Sequence, residues 1–175
     1  ENAALKVIKN IDFQKFKSFT IVCGTGNNGG DGLAVARQLF SMNMKIDVFI
    51  VGNHSMSKDC FANYNILKNI GIDIKHIITS EDMINLREAL LENDMAIDAI
   101  FGVGLTRKIE GIYEEVIKSI NKSNSYIMAI DIPSGMKCDS FGILGTSIEA
   151  NKTISFEVYK KGFLDYEGEK YTGTI

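Results

Sequence analysis

A chain of 175 residues with 45% hydrophobic and 23% charged residues has the size and composition of one globular domain, spanning 1–175. Its formal net charge is −3, and its lysines and arginines are scattered among acids, so it offers no basic footprint for nucleic acid or an anionic membrane. Its apolar runs are strand-sized, which excludes a spanning helix, and its three cysteines form no C-x-x-C, which points to a reducing cytoplasm.

Taken in chain order, residues 1–17 read as a helix through Leu5, Ile8 and Phe16, followed by a buried strand over Phe19–Cys23. Leu33, Ala36, Leu39 and Phe40 recur at helical spacing and predict a helix over 31–43, before a strand over 45–51. A third helix covers 57–70, closed by Gly71 as its C-cap, and leads to a strand at 72–78. A helix over 81–92 precedes a fourth strand, Met95–Phe101, and a helix over 111–121 precedes a fifth, Ser125–Ile130. The tail, 142–175, holds short β-like pieces at 152–156 and 162–164 and no long helix. The chain opens without Met in a helix already under way and stops inside strand-like sequence, so both ends read as truncated, leaving open a targeting segment or a second domain.

Strands alternating with helices predict a three-layer α/β/α sandwich, Rossmann-like, around a mostly parallel sheet of order 3-2-1-4-5. In such a sheet ligands bind beyond the carboxyl ends of the strands where the order reverses, here between the first and fourth. Polar and glycine-rich clusters follow the strands that this geometry singles out. Gly24–Asp31 follows the first, Gly102–Lys108 the fourth, and Asp131-Ile132-Pro133-Ser134-Gly135 the fifth.

The stretch Cys23-Gly24-Thr25-Gly26-Asn27-Asn28-Gly29-Gly30-Asp31-Gly32 packs five glycines, two amides and a carboxylate between a strand and a helix. Backbone N–H groups at such a helix start favour an anion. Although it spells G-x-G-x-x-G, the dinucleotide fingerprint fails here. No acid ends the second strand to hold a ribose, Asp47 lies at its wrong end, and Asp31 would repel a pyrophosphate. No Lys-Ser or Lys-Thr pair follows the glycines, which excludes a P-loop.

Asp98 sits in an apolar strand, where a carboxylate requires a cation or strong donors. One reading pairs it with a lysine or backbone N–H groups; the other, with Asn28 and Ser134 as fellow oxygen donors, is a bound hard cation, monovalent because two carboxylates are too few for tight Ca²⁺ binding. Asp131, directly after the fifth strand, is the general acid/base candidate, its local alternative being an Asx-type anchor for the turn at Pro133. Gly102 and Gly104, with Thr106, Arg107 and Lys108, supply donors and cations for a diphosphate, or a solvated face. His54 and His76 lie outside the three loops, and Ser134 has no histidine partner that would make it a nucleophile.

With these loops together and in this order, the chain resembles the YjeF N-terminal domain family, the NAD(P)H-hydrate epimerases. The resemblance runs from Glu1-Asn2-Ala3-Ala4 through Asp98–Gly104 and the Asp-Ile-Pro-Ser-Gly turn to Gly145-Thr146 and Ala150. It implies a homodimer that interconverts the R and S epimers of NADHX and NADPHX, nicotinamide cofactors hydrated across the C5–C6 double bond. By the same resemblance Asn27, Asn28, Gly29, Gly30, Asp31, Gly102, Val103, Gly104, Leu105, Thr106, Arg107, Lys108 and Asp131 match substrate-binding positions, with Asp131 catalytic. Asn28, Asp98 and Ser134 match ligands of K⁺. A fused or partner dehydratase is a further implication. Two departures, Lys108 where the family often has Pro and Lys160-Lys161-Gly162 where it often has Lys-Pro-Gly, are expected outside the catalytic core. The reading from another class is a non-catalytic scaffold that binds RNA or protein, as in decapping proteins with degraded loops; a nicotinamide dehydrogenase is disfavoured by the missing ribose acid.

Overall fold

The computed structural model describes residues 1–140, 142–164 and 168–175. Six strands, β1 (Ser18–Cys23), β2 (Lys45–Val51), β3 (Ile74–Ile77), β4 (Met95–Ala99), β5 (Tyr126–Ile130) and β6 (Lys152–Ile154), form one parallel sheet of order β3-β2-β1-β4-β5-β6. The predicted order is observed, extended at one edge by β6, which pairs Ile130 with Ile154.

Alternation along the strands sorts the side chains into two cores. Phe19, Ile21 and Cys23 of β1, with Met95, Ile97 and Ala99 of β4, pack beneath α1 (Asn2–Lys9), α2 (Asn27–Ser41) and α3 (Lys58–Asn69). Val22, Phe49, Ala96 and Ala129 face the other way, against α4 (Met83–Glu92) and α5 (Ile112–Asn121). These opposed faces are the outer layers of an α/β/α sandwich, because a central parallel sheet has to be covered on both sides. Among the described residues, no helix is long and apolar enough to cross a membrane.

Several predicted boundaries are corrected. The first helix stops at Lys9 rather than residue 17, and Phe16 reaches the core from a turn, its ring 4.9 Å from that of Tyr126. The helix expected at 31–43 starts at Asn27, so Asn27–Asp31 is helical first turn rather than loop. Poor intrinsic helix formers, Gly29, Gly30 and Gly32, mask this start, and packing overrides their propensity. The strands expected at 72–78 and 95–101 are shorter, and Ser80–Asp82 forms a 3₁₀ turn ahead of α4. The piece expected as β-like at 162–164 is part of a 3₁₀ turn, Lys161–Leu164, followed by the short α6 (Glu169–Thr172). Residues 165–167 of the tail lie outside the described residues.

The glycines that hide the start of α2 also let it lie close to the sheet. A methyl on Gly29 would stand 1.9 Å from the Gly24 carbonyl oxygen, and one on Gly32 would stand 2.4 Å from Ala99 Cβ and 2.8 Å from Cys23 Sγ. At Gly26, the N-cap, a methyl meets nothing within 4 Å. Gly32→Ala is therefore expected to lower stability by about 1–3 kcal/mol through overpacking, while Gly26→Ala stays within about 1 kcal/mol of the parent. Thermal or urea unfolding of both variants checks this, and equal losses at the two positions would contradict it.

Candidate functional site

The carboxyl ends of β1, β4 and β5 open into one cavity of about 760 Å³, within the usual range for small-molecule sites. Its floor and one wall are Thr25, Gly26, Asn27, Asn28 and Asp31, the first turn of α2 and the approach to it. The loop after β4, Phe101 through Arg107, and Asp131 after β5 complete the lining. A helix start presents N–H groups without intrahelical partners, and here it faces a glycine loop and a guanidinium.

The loops are held by a buried hydrogen-bond node. Asp98, at the end of β4, is fully buried; its Oδ2 accepts from the Ser134 N–H at 2.8 Å, and its Oδ1 accepts from the Ser134 hydroxyl at 2.6 Å and the Ile100 N–H at 3.2 Å. Ser134 Oγ in turn accepts from the Phe101 N–H at 2.8 Å. The loops after β4 and β5 are thus tied through one side chain each. The loop after β1 joins them by backbone, with the Gly24 N–H donating to Ala99 O at 3.0 Å. A methyl on Gly24 would stand 2.0 Å from Ile100 O.

No lysine or arginine pairs with Asp98 among the described residues. Burial pushes its carboxyl up to about 6, against the pull of its three hydrogen bonds. Asn28 lies against Gly102, within 3.3 Å of where a methyl there would be, and its buried Nδ2 has no hydrogen-bond partner. A buried carboxylate without a counter-charge is a feature that a cation among oxygen donors would relieve, whereas the unmatched Asn28 Nδ2 is an N–H donor that only an acceptor would satisfy. No cluster of three His, Cys, Asp or Glu side chains exists among the described residues.

Asp131 has φ +68, a left-handed conformation that aspartate tolerates better than most residues. Its N–H donates to Ile154 O of β6 at 2.8 Å, which fixes the backbone. Its Oδ1 lies 3.0 Å from Lys160 Nζ, and the lysine also donates to Phe156 O at 3.0 Å. Both side chains are largely enclosed, at 16% and 8% exposure for Asp131 and Lys160. Asp31 looks onto the same space, its carboxyl raised by burial and further by Asp131 and Asp59.

Of the residues singled out in the sequence, Asn27, Asn28, Asp31, Gly102, Val103, Gly104, Leu105, Thr106, Arg107 and Asp131 line the cavity. Gly29, Gly30 and Lys108 do not: the two glycines are buried against Gly24 and Cys60, and Lys108 pairs with Glu110 on the surface at 2.9 Å. Asp98 and Ser134 lie beneath the cavity rather than in its wall. Lys160, expected outside the core of the site, is instead inside it, because the tail folds back past β6 and places Phe156, Glu157 and Lys160 in the wall. His54 reaches the rim, and Tyr113 stacks on Phe101 at 4.9 Å while its hydroxyl donates to Val51 O at 3.3 Å. A lone lysine among lysines and a tyrosine in a helix carry no local pattern, so the sequence offered no signal for either. Asp47 pairs with Lys75 at 2.9 Å and accepts from Asn93 at 3.0 Å, away from the cavity, as its position at the wrong end of β2 implied.

Residues 1–162 match the family described as YjeF-related protein N-terminus. A protein of Anaerococcus prevotii named NAD(P)H-hydrate epimerase is 40% identical over 93% of this chain and 75% of its own length. One of the same name from Oenococcus oeni is 32% identical over all of this chain and 81% of its own. The bifunctional NAD(P)H-hydrate repair enzyme Nnr of Thermofilum pendens is 38% identical over 90% of this chain, which spans only 30% of that larger protein. The crystal structure of yeast ynu0 (YNL200c) matches with a TM-score of 0.77 at 24% identity, over 91% of this chain and 68% of that one, a likeness of fold.

The Asp98 node predicts a signature in stability. A carboxyl near 6 in the folded state and near 3.8 when unfolded favours folding fully below about pH 4, and that contribution is lost as pH rises through about 6. The difference is worth about 3 kcal/mol. In buffer free of alkali-metal ions, wild type should therefore lose stability between pH 4 and pH 8 relative to Asp98→Asn, which does not ionise; parallel pH dependences for the two proteins would contradict it.

Proposed function

The chain belongs to the family of YjeF-related protein N-termini, and on that premise we propose that it is an NAD(P)H-hydrate epimerase, an isomerase that repairs hydrated nicotinamide cofactors. The observation that carries the reading is the convergence of the α2 start, the Gly102–Arg107 loop and Asp131 on one cavity, in a chain 31–40% identical to relatives of that name.

The walls divide the labour by chemistry. Orphan N–H groups at Asn27 and Asn28, with Gly102, Gly104 and Arg107 opposite, suit the pyrophosphate of a dinucleotide, since backbone donors and a guanidinium bind phosphate oxygens with charge-assisted bonds. The hydrated ring then lies toward Asp131. Epimerisation at C6 requires the hydroxyl to leave as water while the ring nitrogen supplies its lone pair, and water to add to the opposite face of the planar cation. Asp131 is the cavity carboxylate placed to take up the proton when water adds back. A base at C5 would instead strip a proton there and give the dehydrated cofactor, so the reaction depends on keeping proton exchange at the C6 oxygen. Asn28, Asp98 and Ser134 would hold K⁺ below the cavity. When bound, the ion supplies positive charge beside Asp98 and the phosphate-facing loops.

Purified protein is expected to equilibrate stereopure NADHX or NADPHX without ATP and without redox change, followed by proton NMR against a no-enzyme control. An epimer ratio that stays fixed at high enzyme concentration would contradict the assignment. Asp131→Asn should cut kcat by roughly 10²–10⁴-fold, and Arg107→Ala should raise KM with little change in kcat, as expected for loss of a contact made equally in ground and transition states. Potassium should reduce the loss of wild-type stability as pH rises from about 4 to about 6 and leave the pH dependence of Asp98→Asn unchanged; the same response in both proteins would remove the ion from this site.

A further inference from the structure

Lys160 occupies a position that binding alone does not account for. Its ammonium is nearly enclosed, at 8% exposure, and is held by the Asp131 carboxylate and the Phe156 carbonyl, each at 3.0 Å. Burying an ammonium costs several kcal/mol even after relaxation, and this one is placed beside the only cavity-lining carboxylate that carries an ion pair among the described residues. An ammonium has three N–H donors. One is donated to the Phe156 carbonyl and the Asp131 carboxylate lies 3.0 Å away as an ion pair, so the ammonium keeps donor capacity beside the cavity that Lys160 lines.

The pairing also constrains the role of Asp131. A carboxylate joined to an ammonium has no proton of its own to give, so the first half of the epimerisation, in which the departing hydroxyl takes up a proton, requires another donor. Asp31 faces the same space, but among the described residues it has no hydrogen-bonded or ionic partner that would aim it. His54 is on the exposed rim. Lys160 is aimed from two sides. Resting on the epimerase reading above, we infer that Lys160 is a catalytic residue, the general acid that protonates the C6 oxygen, with Asp131 aiming it and relaying the proton back.

The step balances within the site. As the C6–O bond breaks, the ring-nitrogen lone pair closes an N1=C6 bond, and a proton passes from Lys160 Nζ to the oxygen, which leaves as water. On return, a water oxygen bonds C6 from the opposite face, the N1=C6 pair goes back to nitrogen, and the released proton returns to Nζ through the Asp131 carboxylate. Nothing is oxidised or reduced, and the hydrogens at C5 stay in place.

Arginine separates a proton donor from a positive charge, because its guanidinium keeps the charge and can pair with Asp131 but does not give up its proton in a protein. Lys160→Arg is expected to lower kcat on stereopure NADHX by roughly 10²–10⁴-fold with KM within about threefold of wild type. Lys160→Ala should be similarly slow, recovering activity with added methylammonium and not with tetramethylammonium, which has no proton to give. Lys160→Arg turning over within a few-fold of wild type, or rescue of Lys160→Ala by both cations alike, would make the lysine a charge that positions Asp131 and overturn the inference. If Lys160→Arg does not fold, as judged by circular dichroism, the two rescue cations decide. Wild type assayed in parallel separates the two levels: inert wild type defeats the epimerase reading itself, whereas active wild type beside an active Lys160→Arg defeats only the role given to the lysine.

Discussion

Everything above the sheet depends on how one buried carboxylate is accommodated. Asp98 stands where β4 ends, pairing in register with Val22 of β1 and Ala129 of β5, so it sits at the point where the sheet order reverses. Three short donors from two loops converge on it, and the serine that supplies two of them also receives the Phe101 N–H. A buried carboxylate deprived of such donors would be costly. The same bonds therefore satisfy Asp98 and set the distance between the Gly102–Arg107 loop and the loop that carries Asp131. Its raised proton affinity, to about 6, is what remains unbalanced.

Two kinds of close approach complete the frame. Glycines at 24, 29 and 32 bring the start of α2 against β1 and β4, so that the helix N–H groups arrive at the cavity instead of stopping short of it. On the other side, β6 takes the Asp131 N–H and holds the residue at φ +68. Non-glycine residues in this region carry strain of order 1–3 kcal/mol. The strain is local to the residue whose carboxylate meets Lys160, and the tail that follows β6 delivers that lysine. The sheet edge thus positions both members of the ion pair, one through a backbone hydrogen bond and the other through chain direction.

Much of this was legible in the sequence wherever a repeating pattern carried it. Strands alternating with helices implied a parallel sheet, and the clusters after β1, β4 and β5 marked the cavity, because ligands bind at the reversal point of such a sheet. The start of α2 was not legible, since Gly29, Gly30 and Gly32 oppose a helix on local grounds and only their contacts with Gly24, Cys60 and Ala99 explain them. Lys160 was misplaced for a related reason. It lies after a three-residue strand, in a segment with no periodicity, and its partner is 29 positions away in sequence at the end of another strand. Tyr113 and His54 reach the cavity through packing of α5 and the turn after β2, which no spacing rule anticipates.

In the proposed epimerisation, water leaves and returns at C6 while a proton is exchanged only at that oxygen. Epimerisation of NADHX in ¹⁸O-labelled, deuterated water reads both events at once. ¹⁸O is expected to enter the C6 hydroxyl at the rate at which the epimers interconvert, with no deuterium gained at C5. Inversion without ¹⁸O incorporation, or deuterium appearing at C5 in step with it, would contradict the account.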